Sequence, residues 1–288
     1  MKKFTILFLC IITFSLAQVN QKVSFFPLEN VKLSNSIFSN ATNTNKKYLL
    51  AMNADRLLAP YLKEVGLQPK AENYPNWENT GLDGHIGGHY ISALALMYAS
   101  TGDLAIKKKL DYMIDELEIC QNASGNGYLS GVPNGKQIWK EIAEGNIKAN
   151  SFGLNNRWVP LYNIHKTYAA LRDAYYYTKS EKAKKMLIKL TDWMSNEVSG
   201  LSDAQIQEML RSEHGGLNEI FADVYEITGN KKYLDLAHKF SHRVILEPLL
   251  EKQDNPFIDG EIDAEINSIH EKNINELENK IKKLDNMR

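Results

Sequence analysis

The feature that most constrains this chain is a turn that occurs three times. Leu96-Met97-Tyr98-Ala99-Ser100-Thr101-Gly102-Asp103, Ala174-Tyr175-Tyr176-Tyr177-Thr178-Lys179-Ser180 and Asp223-Val224-Tyr225-Glu226-Ile227-Thr228-Gly229-Asn230 each place Tyr three residues before Thr. Gly102 and Gly229 suit the left-handed residue that ends a helix. Asp103, Ser180 and Asn230 suit the cap of the next one. The segment before each turn is strongly apolar, as in His89–Ala99. The segment after it is amphipathic: Lys107–Leu117, Ala183–Val198 and Tyr233–Ile245. The unit is therefore an apolar inner helix, a short turn and an outer helix with one polar face. Such units stack so that each covers its neighbour's apolar face.

About three and a half hairpins follow from the periodicity, because Lys46–Val65 reads as one further helix, with Leu49, Leu50, Leu57, Leu58, Tyr61 and Leu62 on one face and a stop at Gly66. The fold class is all-α, an α/α toroid rather than an open solenoid, since nearly all-apolar inner helices favour closure. Strand signals are confined to Val23–Phe26, with Val31–Leu33 as a short edge, and Lys136–Trp158 reads as a long polar connection.

The N-terminus has the layout of an export signal. Lys2 and Lys3 precede an apolar run from Phe4 to Phe14, and Ser15-Leu16-Ala17 offers small residues before Gln18. The expected division is residues 1–17 as signal peptide, 18–260 as the toroid domain, and 261–288 as a charged amphipathic tail. Localisation is then periplasmic or extracellular, with no membrane association after cleavage. Lys plus Arg number 34 against 35 Asp plus Glu, a balance that argues against nucleic acid as a partner. The two cysteines, Cys10 and Cys120, exclude a disulfide scaffold and a four-cysteine zinc site.

The chemistry-bearing residues gather just ahead of the inner helices, in Gly84-His85-Ile86-Gly87-Gly88-His89-Tyr90, Trp158 to Lys166, and Glu213-His214-Gly215-Gly216-Leu217-Asn218-Glu219. His89, His165 and His214 precede their turn threonines by 12, 13 and 14 residues, which places all three on one rim. Tyr74-Pro75-Asn76-Trp77-Glu78 reaches that rim on a loop. Gly-Gly pairs allow close backbone approach to a ligand. Trp77, Trp158, Tyr90 and Tyr162 supply flat apolar faces, while His85, His89, His165, Glu213, Asn218 and Glu219 supply donors and acceptors. Flat faces with dense uncharged polarity suit a sugar. His85 and His89 stand at i and i+4, but Gly87-Gly88 weakens a continuous helix between them and the zincin glutamate is absent, so no metal site is expected.

At these residues the sequence resembles glycoside hydrolase family 127, the β-L-arabinofuranosidase-like family, over roughly Phe26 to Asp254. The resemblance rests on Asp55-Arg56-Leu57-Leu58, Tyr74 to Glu78, Gly84 to Ser92, Cys120-Gln121, Gly127-Tyr128-Leu129, Pro160 to Lys166, Glu213 to Glu219 and Thr228-Gly229-Asn230 with Tyr233-Leu234. It implies an (α/α)6-barrel domain acting, with retention, on terminal L-arabinofuranose of plant glycans. The family uses a zinc-held cysteine nucleophile and a separate acid/base glutamate. Its sugar-binding histidines match His89 and His165; Trp77, Glu78, His85, Glu213, His214 and Asn218 fall in its pocket motifs.

The family continues after Gly260 with His-Ala-Asn-Thr. This chain reads Glu261-Ile262-Asp263-Ala264-Glu265 and then a helical pattern with Ile274, Leu277, Ile281 and Leu284. The expectation is therefore an incomplete barrel holding no catalytic residue and no fully ligated zinc. Its open edge or final helix would be available for self-association. The alternative is a non-catalytic glycan-binding half-barrel. An unsaturated uronyl hydrolase, another toroid enzyme, would require basic residues on the rim, where only Lys166 and Arg157 are near.

Overall fold

The computed structural model describes residues 25–251. The export-signal segment and the 261–288 tail lie outside the described residues. Along the chain run α1 (Ile37–Ala51), α2 (Ala54–Glu64), α3 (His85–Thr101), α4 (Leu104–Ser124) and α5 (Gly135–Ala143). A small antiparallel meander follows, β1 (Ala149–Asn150), β2 (Gly153–Leu154) and β3 (Arg157–Trp158), pairing Ala149 with Leu154 and Leu154 with Arg157. Then come α6 (Pro160–Thr178), α7 (Glu181–Glu197), α8 (Asp203–Met209), α9 (Leu217–Thr228), α10 (Lys231–Lys239) and α11 (Arg243–Leu250).

Three hairpins, α3–α4, α6–α7 and α9–α10, form two layers: α3, α6 and α9 lie side by side inside, and α4, α7 and α10 lie outside. The described residues are thus all-α in the toroid manner. The repeated turn has one physical basis. Thr101, Thr178 and Thr228 each donate their hydroxyl to the carbonyl four residues back, and the following N–H of residue 102, 179 or 229 donates to the tyrosine carbonyl. Gly102 and Gly229 both have φ +69°, and Lys179 takes the same left-handed place at φ +57° without glycine's freedom. Asp103, Ser180 and Asn230 then cap the outer helices through their side chains.

Five expectations change. The reading of Lys46–Val65 as one helix fails at Met52, which is extended (ψ 140°). Lys109 Nζ donates to the carbonyls of Leu50 and Met52 at 2.7 and 2.6 Å, satisfying the end of α1, and Asn53 caps α2. Leu28–Asn30 is a single 3₁₀ turn, and neither Phe25–Phe26 nor Val31–Leu33 is strand. Lys136–Trp158 contains α5 and the meander. The carboxylate of Glu64 accepts from the Lys136 N–H at 3.1 Å, and α5 buries Ile138, Trp139 and Ile142. The outer helix after Asn230 ends at Lys239, and α11 beyond it buries no residue.

The fifth change concerns Gly87 and Gly88, which do not interrupt a helix: α3 begins at His85 and runs through both. A Cβ on Gly88 would stand 2.5 Å from the carbonyl carbon and oxygen of Lys166 on α6, and one on Gly87 2.9 Å from the Leu57 carbonyl. The close approach that these glycines permit is taken by neighbouring helices, not by a ligand. Gly88→Ala is therefore expected to destabilise the protein by about 3 kcal/mol, the upper range for overpacking. Gly102→Ala, which meets nothing within 4 Å, should lose only the roughly 1–2 kcal/mol of a left-handed alanine. Urea unfolding of both variants checks the order.

Candidate functional site

The start of α3 is built without a side-chain cap of its own. Gly84, the residue before it, is left-handed at φ +94° and lies so close to Gly131 that no Cβ fits. Glu78, brought in by the short 3₁₀ turn Asn76–Asn79, takes over this role. Its carboxylate accepts from Gly84 N–H at 3.1 Å and Ile86 N–H at 2.9 Å. A negative group here also answers the positive end of the helix dipole. The same carboxylate stands 2.7 Å from His85 Nδ1, which is also 2.6 Å from the Leu82 carbonyl oxygen. Glu78 is 1% exposed and His85 4%. Glu78 is thus a buried framework group, and only the far edge of His85 remains for the rim.

That edge meets a cluster of rings. The His85 centroid lies 6.2 Å from Trp77, 6.3 Å from His89 and 6.4 Å from Tyr162. Trp77 packs edge-to-face against Trp158 at 6.4 Å, and the two are 60% and 38% exposed. Two large aromatic rings held this open offer flat apolar faces to solvent. Trp158 is carried by β3, so the meander that the sequence reading passed over as connection positions one wall.

His89 and His165 lie a little over one turn inside α3 and α6, rather than ahead of them. His89 is exposed, with Nε2 3.4 Å from the Tyr162 hydroxyl. Lys166 Nζ lies 4.2 Å over the Tyr162 ring. Desolvation first, then the charge of Lys166, lowers the pKa of His89; the same two causes bring His165 down to about 4. The ring of His165 is roofed by Gly215 and Gly216, where a Cβ would come 2.7 Å from Nδ1 and 3.3 Å from Nε2 respectively. Both rim histidines are therefore neutral at pH 7, each able to donate from one nitrogen and accept at the other. Burial likewise lowers the pKa of Lys166, opposed by the negative charge of Glu213.

Glu213 is exposed, its N–H donating to Ser151 O in the meander. His214 is half-buried beside His242, ring centroids 5.1 Å apart. Asn218 sits half-buried in the first turn of α9. Trp77, His85, His89, Tyr162 and Trp158 thus make one contiguous patch. His165, Lys166 and Glu213 adjoin it, and His214 and Asn218 stand at its α9 end. Sequence reasoning gave Lys166 weight only as a basic residue, and missed His242, which sits in an α10–α11 connection with no motif around it.

A cleft of about 850 Å³ lies elsewhere, between α1, residues 28–33 and the later turns of α3, lined by Ser39, Thr42, Lys46, Ala93 and Leu96. It holds no histidine or aromatic side chain, and the rim rather than this cleft carries the chemistry. Deeper between α6 and α9, Arg172 pairs with Asp173 and Asp223 at 2.7 Å each. This ties the inner helices together.

The described residues do not fit a thiolate zinc site. Cys120 is fully buried, and desolvation pushes its thiol up to about 12, the opposite of a metal-ready sulfur. Among the described residues no three His, Cys, Asp or Glu side chains converge to hold a metal. Nor is any described helix long and apolar enough to cross a membrane.

A family profile described as "Beta-L-arabinofuranosidase, GH127 catalytic domain" matches residues 30–264. Among solved structures the chain is similar in fold to a GH127 β-L-arabinofuranosidase from Geobacillus stearothermophilus T6, with a TM-score of 0.51 and 17% identity. The match covers 79% of this chain and 36% of that one, so the chain spans about a third of the length of that relative. No curated protein matches the chain.

The environment of His165 has a measurable consequence. Unfolded imidazole takes a proton near pH 6.5, whereas the folded residue resists until about 4. Between those values the unfolded state binds more protons, so stability falls as pH drops through that window. His165→Gln is expected to flatten the fall in melting temperature between pH 6.5 and 4, followed by thermal melts in a pH series.

Proposed function

The chain belongs to glycoside hydrolase family 127, and from that premise we propose that it provides the sugar-recognising rim of a β-L-arabinofuranosidase-type domain acting on terminal L-arabinofuranosyl groups of plant glycans. One observation carries the reading: Trp77 and Trp158, two open aromatic faces, stand beside His85, His89 and Tyr162 in a single patch. A furanose has weakly polar carbon faces and hydroxyls around its edge. The rings cover a face, and neutral imidazoles and a phenol pair with hydroxyls without the desolvation penalty of a full charge.

Recognition and cleavage separate in this reading. The family's reaction, hydrolysis with retention, draws on a zinc-held cysteine and an acid/base glutamate. The sequence has Cys10 in its apolar N-terminal run and Cys120 in the core, and neither suits that nucleophile. The described residues bind and orient a sugar; His89, His165 and Tyr162 fix its hydroxyls, and Trp77 and Trp158 exclude water from one face. Buried Cys120 thereby favours the second reading, in which these residues act as a glycan-binding unit. The reading also includes export, resting on Lys2-Lys3, the apolar run and Ser15-Leu16-Ala17; N-terminal sequencing of secreted protein should begin at Gln18.

L-Arabinose is expected to raise the melting temperature of the chain in a concentration-dependent way. His89→Ala and His165→Ala should each weaken that shift, while D-glucose should give none. No shift with L-arabinose at high concentration would remove the sugar reading. Release of L-arabinose from an aryl β-L-arabinofuranoside by the 288-residue chain alone would remove the separation of binding from cleavage.

A further inference from the structure

We propose that the Leu82 carbonyl, with the Glu78 carboxylate beside it, holds His85 in the Nδ1–H tautomer, so that His85 Nε2 presents a lone pair to a hydroxyl donor at the rim. The inference rests on the reading of the rim as a sugar site and goes beyond it by assigning a role and a direction of hydrogen bonding.

Two acceptors converge on one nitrogen. Glu78 Oε1 is 2.7 Å from His85 Nδ1, and the Leu82 carbonyl oxygen is 2.6 Å from it. A carboxylate and a carbonyl accept only, so Nδ1 must carry a proton. In the neutral ring this leaves Nε2 as the acceptor. No described group bonds to Nε2, and its ring lies among Trp77, His89 and Tyr162, the residues of the sugar patch.

Glu78 cannot readily turn away from this duty. Its two oxygens are also bound by the N–H groups of Gly84 and Ile86, and the side chain is 1% exposed. The carboxylate that closes the start of α3 is therefore held beside Nδ1, where its charge favours the proton that the Leu82 carbonyl receives. A ligand offering only acceptors at that position meets a lone pair and is rejected; a hydroxyl is accepted. His89 and His165 have no such carboxylate on a ring nitrogen and remain free to choose their tautomer. The rim thus contains one fixed acceptor beside two adaptable groups.

The test is histidine ¹⁵N–¹H correlation spectroscopy on the full chain, with the His85 signals assigned by their loss in His85→Gln. The expected result is a protonated Nδ1 and a pyridine-type Nε2 in the free protein, with the Nε2 resonance shifting on addition of free L-arabinose. Glu78→Gln, checked for folding by circular dichroism, should keep the Nδ1–H tautomer, because the Leu82 carbonyl remains, whereas His85→Gln should bind L-arabinose about tenfold more weakly, the scale of one lost hydrogen bond. A protonated Nε2 in the wild-type protein overturns the proposal whatever the sugar does. So does a Glu78→Gln spectrum in which Nε2 carries the proton. A pyridine-type Nε2 that ignores L-arabinose while the resonances of His89 or His165 respond overturns the acceptor role alone. Absence of any arabinose response across the rim overturns the sugar reading on which the inference rests.

Discussion

The contact between α3 and α6 sets the rest of the architecture. At Gly88 the two helices meet backbone against backbone, a separation any Cβ would prevent. This approach brings His85 and His89 within reach of Tyr162 and Lys166, residues some seventy to eighty positions later. Two further bonds lock the same region. The Tyr61 hydroxyl joins the Gly84 carbonyl (2.8 Å) to the Thr167 hydroxyl (3.1 Å), and Asn163 Nδ2 donates to the Asp83 carbonyl at 2.8 Å. Elements α2, α3 and α6 are thus fixed to one another at the end where the rim lies, and the rim inherits the rigidity of the packed layer.

Polar groups divide their duties according to charge. Three carboxylates on this side of the molecule accept from backbone N–H groups. Glu78 holds the start of α3, Glu64 accepts from the start of α5, and Asp83 accepts from the Gly81 N–H. The imidazoles of His89 and His165 are kept neutral by their surroundings. The arrangement suits an uncharged, hydroxyl-rich ligand, because buried ions would have to be stripped of water before they could pair with it. Lys166 is the exception, and the face of Tyr162 holds it.

The hairpin repeat was legible because it has local causes: a threonine hydroxyl returned to its own helix, a left-handed residue and a side-chain cap all occur within a few residues of one another. The clustering of His89, His165 and His214 at one end followed from the same period. Glu78 shows what local reading misses. Its motif marked it as a pocket residue, but whether a carboxylate faces a ligand or a helix end depends on a tertiary approach, here the placing of the 3₁₀ turn beneath α3. Gly87 and Gly88 show the converse. Glycines in a helical window read as weakness, and only the position of α6 shows that they are what permits the packing. The break at Met52 depends on Lys109, more than fifty residues away, and periodicity carries no trace of it.

Cys120 closes the argument about chemistry. A nucleophilic thiol must be ionised and reachable, and burial opposes both. Cys120 is wholly enclosed in the core between the layers, and its neighbour Gln121 spends its amide on the carbonyls of Gly127 and Met186. This pair therefore pins the α4 end to α7. Of the ionisable side chains at the rim, Glu78 is committed to backbone, Glu213 is exposed to water, His89 and His165 are held neutral, and Lys166 lies over the Tyr162 ring. Selectivity among ligands at such a rim comes from where its fixed donors and acceptors stand rather than from their strength.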